Sequence, residues 1–102
     1  MSRKTDYSRL NEMLLAMEKA AATGSRGLVE TLNQKYSPLY AKIAPRNYEK
    51  GSFADLYDRA RNKILNSVDD IVAPTKEDKK EELKEAREIR IKIEKLFGHL
   101  YL

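Results

Sequence analysis

The chain has no cysteine and no tryptophan, a single histidine, His99, and only three prolines and four glycines in 102 residues. Each shortage removes something. Without cysteine there is no disulfide framework, thiolate metal site, iron–sulfur cluster or cysteine nucleophile, so stability rests on packing. His99 follows Gly98 at the end of an apolar-periodic stretch. It reads as a neighbour of a helix C-terminus, because no Ser-His-Asp arrangement follows from the spacing. Helical metal sites draw on Glu-x-x-His or repeated inward carboxylates, and no Glu-x-x-His occurs. Asp55 with Asp58 and Asp69 with Asp70 are pairs lacking the further ligands that a hard cation takes. Gly24-Ser-Arg-Gly27 lacks the lysine and the spacing of a phosphate loop and reads as a turn between helices. The expectation is a non-enzymatic protein with no catalytic residue, cofactor, metal or small-molecule substrate.

Long apolar runs are also missing. Met13–Met17 falls far short of the ~20 residues a membrane span requires, and Met1-Ser-Arg-Lys4 is not followed by a hydrophobic signal core. A cytoplasmic protein without membrane association is expected.

What is abundant is charge, at 35% of residues with a net +4. It is unevenly placed: residues 1–50 hold nine Lys/Arg and five Asp/Glu, whereas residues 51–102 hold eleven of each. The whole positive excess lies in the first half, where it can attract phosphates or an acidic protein surface.

The few glycines and prolines separate stretches of helical periodicity. Thr5 or Asp6 can cap a first helix to about Thr23, with Tyr7, Leu10, Leu14, Met17 and Ala21 along one face and Gly24 at the left-handed turn beyond. Ser25 can cap the next, whose stripe is Leu28, Leu32, Tyr36, Leu39 and Ile43. Pro38 interrupts it, so two short helices are expected to meet at Ser37, with Pro38 at the first position of the second. Ser52 and Asp55 open a helix predicted to run to about Val72, with Phe53, Tyr57, Ala60, Ile64, Val68 and Ile71 inward. There Asp69 and Asp70 would sit at the helix end where the dipole disfavours carboxylates. After Pro74, Thr75 with Asp78 caps a last helix to about Phe97. Its start, residues 76–85, is almost wholly charged, and it docks through Ala86, Ile89, Ile93, Leu96 and Leu100. The fold expected is a single all-α domain over 1–102: a small bundle of three long amphipathic helices plus one or two short ones. Residues 1–5 read as a flexible basic arm, and the last helix as partly extended and charged.

Two surfaces carry functional expectations. Ile91 lies well away from the inward stripe of the last helix, Leu100, Tyr101 and Leu102 continue past Gly98, and Met13 and Leu15 flank the stripe of the first helix. That is more apolar surface than a small bundle needs, and it points to a protein partner or homo-oligomer. The stretch 35–50 interleaves Lys35, Lys42, Arg46 and Lys50 with tyrosines including Tyr48, and Arg59 and Arg61 extend it on the next helix. Cations for phosphates and rings for unpaired bases make a largely sequence-independent nucleic-acid-binding regulator or packaging protein the alternative. The first reading is an adaptor or assembly protein with apolar helix faces and a basic rim.

Overall fold

The computed structural model describes residues 5–43 and 49–101. Among them four α-helices form: α1 (Asp6–Ala22), α2 (Arg26–Ile43), α3 (Phe53–Ser67) and α4 (Lys76–Phe97), the last running into a 3-10 turn, Gly98–Tyr101. The small all-α bundle expected from periodicity is the fold.

Three helices begin where a side chain can satisfy a free N–H. Thr5 Oγ1 accepts from Ser8 N at 3.1 Å, Ser52 Oγ from Asp55 N at 3.2 Å, and Thr75 Oγ1 from Asp78 N at 3.0 Å. Asp78 answers by accepting from the Thr75 N–H at 3.2 Å, which completes a reciprocal capping box. Between α1 and α2 the chain reverses through Gly24, whose φ of +72° is a conformation that a Cβ would strain.

Aromatic contacts fix the helix directions. Tyr7 of α1 packs edge-on against Phe53 at 4.8 Å, and Phe53 meets Phe97 of α4 edge-on at 5.7 Å. Tyr40, near the end of α2, stacks on Tyr57 at 5.1 Å and donates its hydroxyl to the Ala54 carbonyl at 3.2 Å. The starts of α1 and α3 therefore share one end of the molecule with the ends of α2 and α4, an up-down-up-down bundle. The opposite end carries the two connections 23–25 and 68–75. We call these the aromatic end and the turn end. Between them Leu10, Leu14, Met17, Val29, Tyr57, Ile64 and Ile93 are fully enclosed.

Four details differ from the periodicity. The second helix does not break at Ser37; α2 is continuous with Pro38 inside it. Pro38 lies on the exposed side, where water can serve the carbonyl its missing N–H abandons. The Ser37 hydroxyl donates to the Asn33 carbonyl at 2.7 Å instead of capping a new helix. The inward face of α2 is rotated from the expected stripe, with Val29 and Tyr40 buried and Leu28 exposed. On α4, Leu96 is likewise exposed while Phe97 packs on the core.

The fourth difference is the end of α3, at Ser67 rather than Val72. The Ser67 hydroxyl donates to the Ile64 carbonyl at 2.6 Å, and the Val68 N–H turns back to Leu65 at 3.3 Å. Asp69 then accepts from the N–H groups of Ile71 at 2.9 Å and Val72 at 3.4 Å. A short polar side chain competing for backbone donors ends a helix in this way. The two aspartates thus lie outside the helix, which removes their conflict with its dipole, and Ile71 leaves the core stripe.

Candidate interaction surfaces

The apolar surface expected on α1 and α4 is only partly present. Met13 is not an interface residue: it is 2% exposed, and its sulfur accepts the Tyr57 hydroxyl at 3.6 Å. Neighbours pack on more than one side of α1, so a residue flanking the stripe is enclosed as well as the stripe itself. Leu15 is half-buried, and Ile91 stands exposed on the outer side of α4. Leu100 and Tyr101 are half-buried in the 3-10 turn, with Tyr101 packed against the core. Burial, with Glu94 adding to it, pushes the Tyr101 phenol up to about 12, and its hydroxyl has no hydrogen-bond partner among the described residues. Leu102 lies outside the described residues.

The basic set is dispersed. Lys35 and Lys42 are exposed and seven positions apart, on one face of α2, and Lys50 is exposed before α3. Lys35 Nζ lies 5.6 Å from the centre of the Tyr36 ring. Arg46 and Tyr48 lie outside the described residues. Arg59 and Arg61 do not extend a common patch, because two positions on a helix are about 200° apart. Arg59 faces α4, with Asp55 at 4.0 Å. Arg61 turns the other way, lies 4.9 Å above the Tyr40 ring and is paired with Asp58. Its charge is committed within the fold.

The turn end holds what periodicity does not display. A cleft of about 440 Å³ opens there between the end of α1, the start of α2, the end of α3 and the start of α4. Ala21, Ala22, Val68 and Leu83 give it an apolar floor. Arg26, Lys76, Lys79 and Lys80 line it together with one carboxylate, Asp70. Lys79 donates to Asp70 at 2.7 Å and to the Ala73 carbonyl at 2.6 Å, and this ammonium holds the Asp70 carboxyl below its ordinary range. Arg26 reaches Glu30 at 3.1 Å, while Lys76 and Lys80 have no ion-pair partner among the described residues. At the same end of the bundle, Ile71 is 91% exposed and Leu28 and Val72 about half exposed.

A second feature that periodicity does not display is Glu18, 3% exposed and paired with Arg90 and, at 3.5 Å, with Arg87 of α4. Arg90 also pairs with Glu94. Burial holds the Glu18 carboxyl above its ordinary value even though Arg90 opposes the shift. The available signals were faint: Glu18 adjoins Met17 of the inward stripe, and Lys76, Lys79 and Lys80 recur at helical spacing on one face.

Among the described residues, no group of three or more carboxylates or imidazoles converges as a metal site, and no helix is long and apolar enough to cross a membrane. Comparison of the chain with protein-family models, with curated proteins and with solved structures finds no match.

Proposed function

We propose that this chain is a non-enzymatic interaction module, an adaptor or assembly protein that docks a protein partner against the turn end of its bundle. The observation that carries this reading is Ile71. Isolated exposed apolar residues are ordinary on a protein surface. Ile71 differs in being held outward by a built turn: the Asp69 carboxylate accepts its N–H at 2.9 Å, and the Ala73 N–H returns to the Asp69 carbonyl at 2.8 Å with Ala73 fully enclosed. An apolar side chain presented on an ordered turn loses little further freedom when it is covered, which favours binding. Three of the five large exposed hydrophobics among the described residues, Leu28, Ile71 and Val72, belong to this end. Arg26, Lys76 and Lys80 line the cleft at this same end, a charged rim of the kind that speeds and orients association. Ile91 and Leu15 lie on other faces and would contribute less. With Arg61 paired inward and Arg59 turned away from it, the cations support a rim better than a continuous track for phosphates.

A random peptide library displayed on phage, selected on the immobilised protein, tests this directly. Enriched peptides are expected to lose most of their binding to an Ile71→Ser/Val72→Ser variant, whose fold should be unchanged because both side chains face solvent. Peptides that bind both proteins equally, or no enrichment at all, would refute the turn end as a docking surface.

A further inference from the structure

We infer that the occupant of the turn-end cleft is an acidic peptide segment of a partner protein, carrying a bulky apolar side chain among its carboxylates. This rests on the docking surface proposed above and specifies what that surface recognises.

Charge complementarity carries the inference. Four cations and one carboxylate line the cleft, and the carboxylate is already held by Lys79. Arg26, Lys76 and Lys80 remain at the rim, the last two without an ion-pair partner among the described residues. The position of Arg26 strengthens the field, because it opens α2 and stands where aligned peptide dipoles already leave positive charge, whereas Glu77 and Asp78 offset the start of α4 beside Lys76. The first turn of α2 holds no acidic residue to offset this. A cation at a helix N-terminus is unfavourable within the isolated fold and becomes favourable once an anion covers it. Carboxylates arriving there would be drawn by Lys76 and Lys80, and by the start of α2 with Arg26, which now shares its charge with Glu30.

The floor decides between anions. Ala21, Ala22, Val68 and Leu83 offer apolar contact, and a fully hydrophilic polyanion would leave it uncovered. A volume of about 440 Å³ accommodates one or two large side chains, and the exposed Ile71 and Val72, which follow the lining residue Asp70 in the chain, offer further apolar contact at the same end. A segment with Asp and Glu flanking a Leu-Phe pair satisfies the rim and the floor at once. A nucleic-acid backbone satisfies only the rim.

Fluorescence anisotropy with three labelled probes decides the matter: that acidic peptide, its counterpart with Asn and Gln in place of the acids, and a single-stranded oligonucleotide. The acidic peptide is expected to bind most tightly, with affinity falling as salt is raised. Lys76→Glu/Lys80→Glu is expected to weaken it at least about tenfold, and Ile71→Ser about tenfold through the lost apolar contact. Lys76→Glu places an acid in the first turn of α4, where the helix dipole favours it, and Lys80→Glu changes an exposed position one turn on, so the helix signal in circular dichroism should be retained and the loss read as lost recognition. Equal binding of the neutral peptide would overturn the acidic specificity while leaving the docking surface intact. Oligonucleotide binding that equals or exceeds the peptide's and depends on Lys76 and Lys80 would overturn it in favour of phosphate recognition. A dimer in sedimentation that the charge reversals dissociate would overturn it in favour of a second copy of this chain. Absence of binding by any probe overturns the inference, and the peptide selection then judges the docking surface separately.

Discussion

Glu18 shows how much one residue's meaning depends on what lies opposite it. In the sequence it is one of sixteen acids; in the bundle it is enclosed and shared between Arg87 and Arg90. Taking a carboxylate out of water is expensive, and a buried pair is tolerated only while both partners are present. Arg90→Ala leaves Glu18 with Arg87 alone and is expected to cost about 3 kcal/mol in urea unfolding at neutral pH. The raised carboxyl fixes the direction of the pH effect. A folded chain that binds this proton more tightly than the unfolded chain gains most from the group below the ordinary Glu range and loses that contribution as pH rises through the raised value. The Arg90→Ala penalty should therefore shrink on acidification, and Glu18→Gln should show a flatter stability profile than wild type over that window. An Arg90→Ala penalty independent of pH would mean that Glu18 is not the group left exposed to the loss.

At the scale of elements, the starts of helices were the most legible feature. Thr5, Ser52 and Thr75 each accept from the N–H three positions on, as their residue types foretell. Ends and interruptions were less so. Pro38 looked like a boundary, but the apolar phase that runs through it on Tyr36, Leu39 and Tyr40 holds α2 together against the local cost. Packing of an amphipathic face outweighs propensity here. Pro38→Ala should restore a backbone donor to α2 and raise stability by about 1–3 kcal/mol, read as a higher Tm. No gain would show that Pro38 is relieved by its surroundings. In α3 the opposite happened: the apolar residues Ile71 and Val72 extended the apparent helix, and Asp69 captured the backbone donors first.

For the whole molecule, the division into an aromatic end and a turn end organises both stability and recognition. Tyr7, Tyr40, Phe53, Tyr57 and Phe97 tie all four helices together at one end. Burial lifts the Tyr57 phenol above its ordinary value and Tyr101 to about 12. Both contribute stability that is fully present below the phenol range of the unfolded chain and lost as pH climbs from about 10. Alkaline unfolding should therefore be steep. Tyr57→Phe, which keeps the ring stacking and gives up only the hydroxyl contact with Met13, should make it shallower, with little change at neutral pH. An unchanged alkaline slope in that variant would place the effect elsewhere. Among the described residues the turn end carries no such aromatic cluster and instead gathers cations from chain segments fifty residues apart, Arg26 with Lys76 and Lys80.

The sequence by itself determined that the chain is helical, the caps at Thr5, Ser52 and Thr75 and the turn at Gly24, because these depend on hydrogen bonds and side-chain periodicity within a few residues. Cations were legible as a net excess in the first half, yet the cleft draws three of its four from the electrically neutral second half. Only the tertiary structure decided that Met13 is enclosed, that Leu28 and Leu96 face out, that Glu18 meets Arg90, and that Arg61 spends its charge on Asp58 and Tyr40. The physical reason is common to all of these. Periodicity says which residues of a helix share a face, but the rotation of that helix and the neighbour it meets are set by packing all four together, and burial, pairing and free charge follow from that contact.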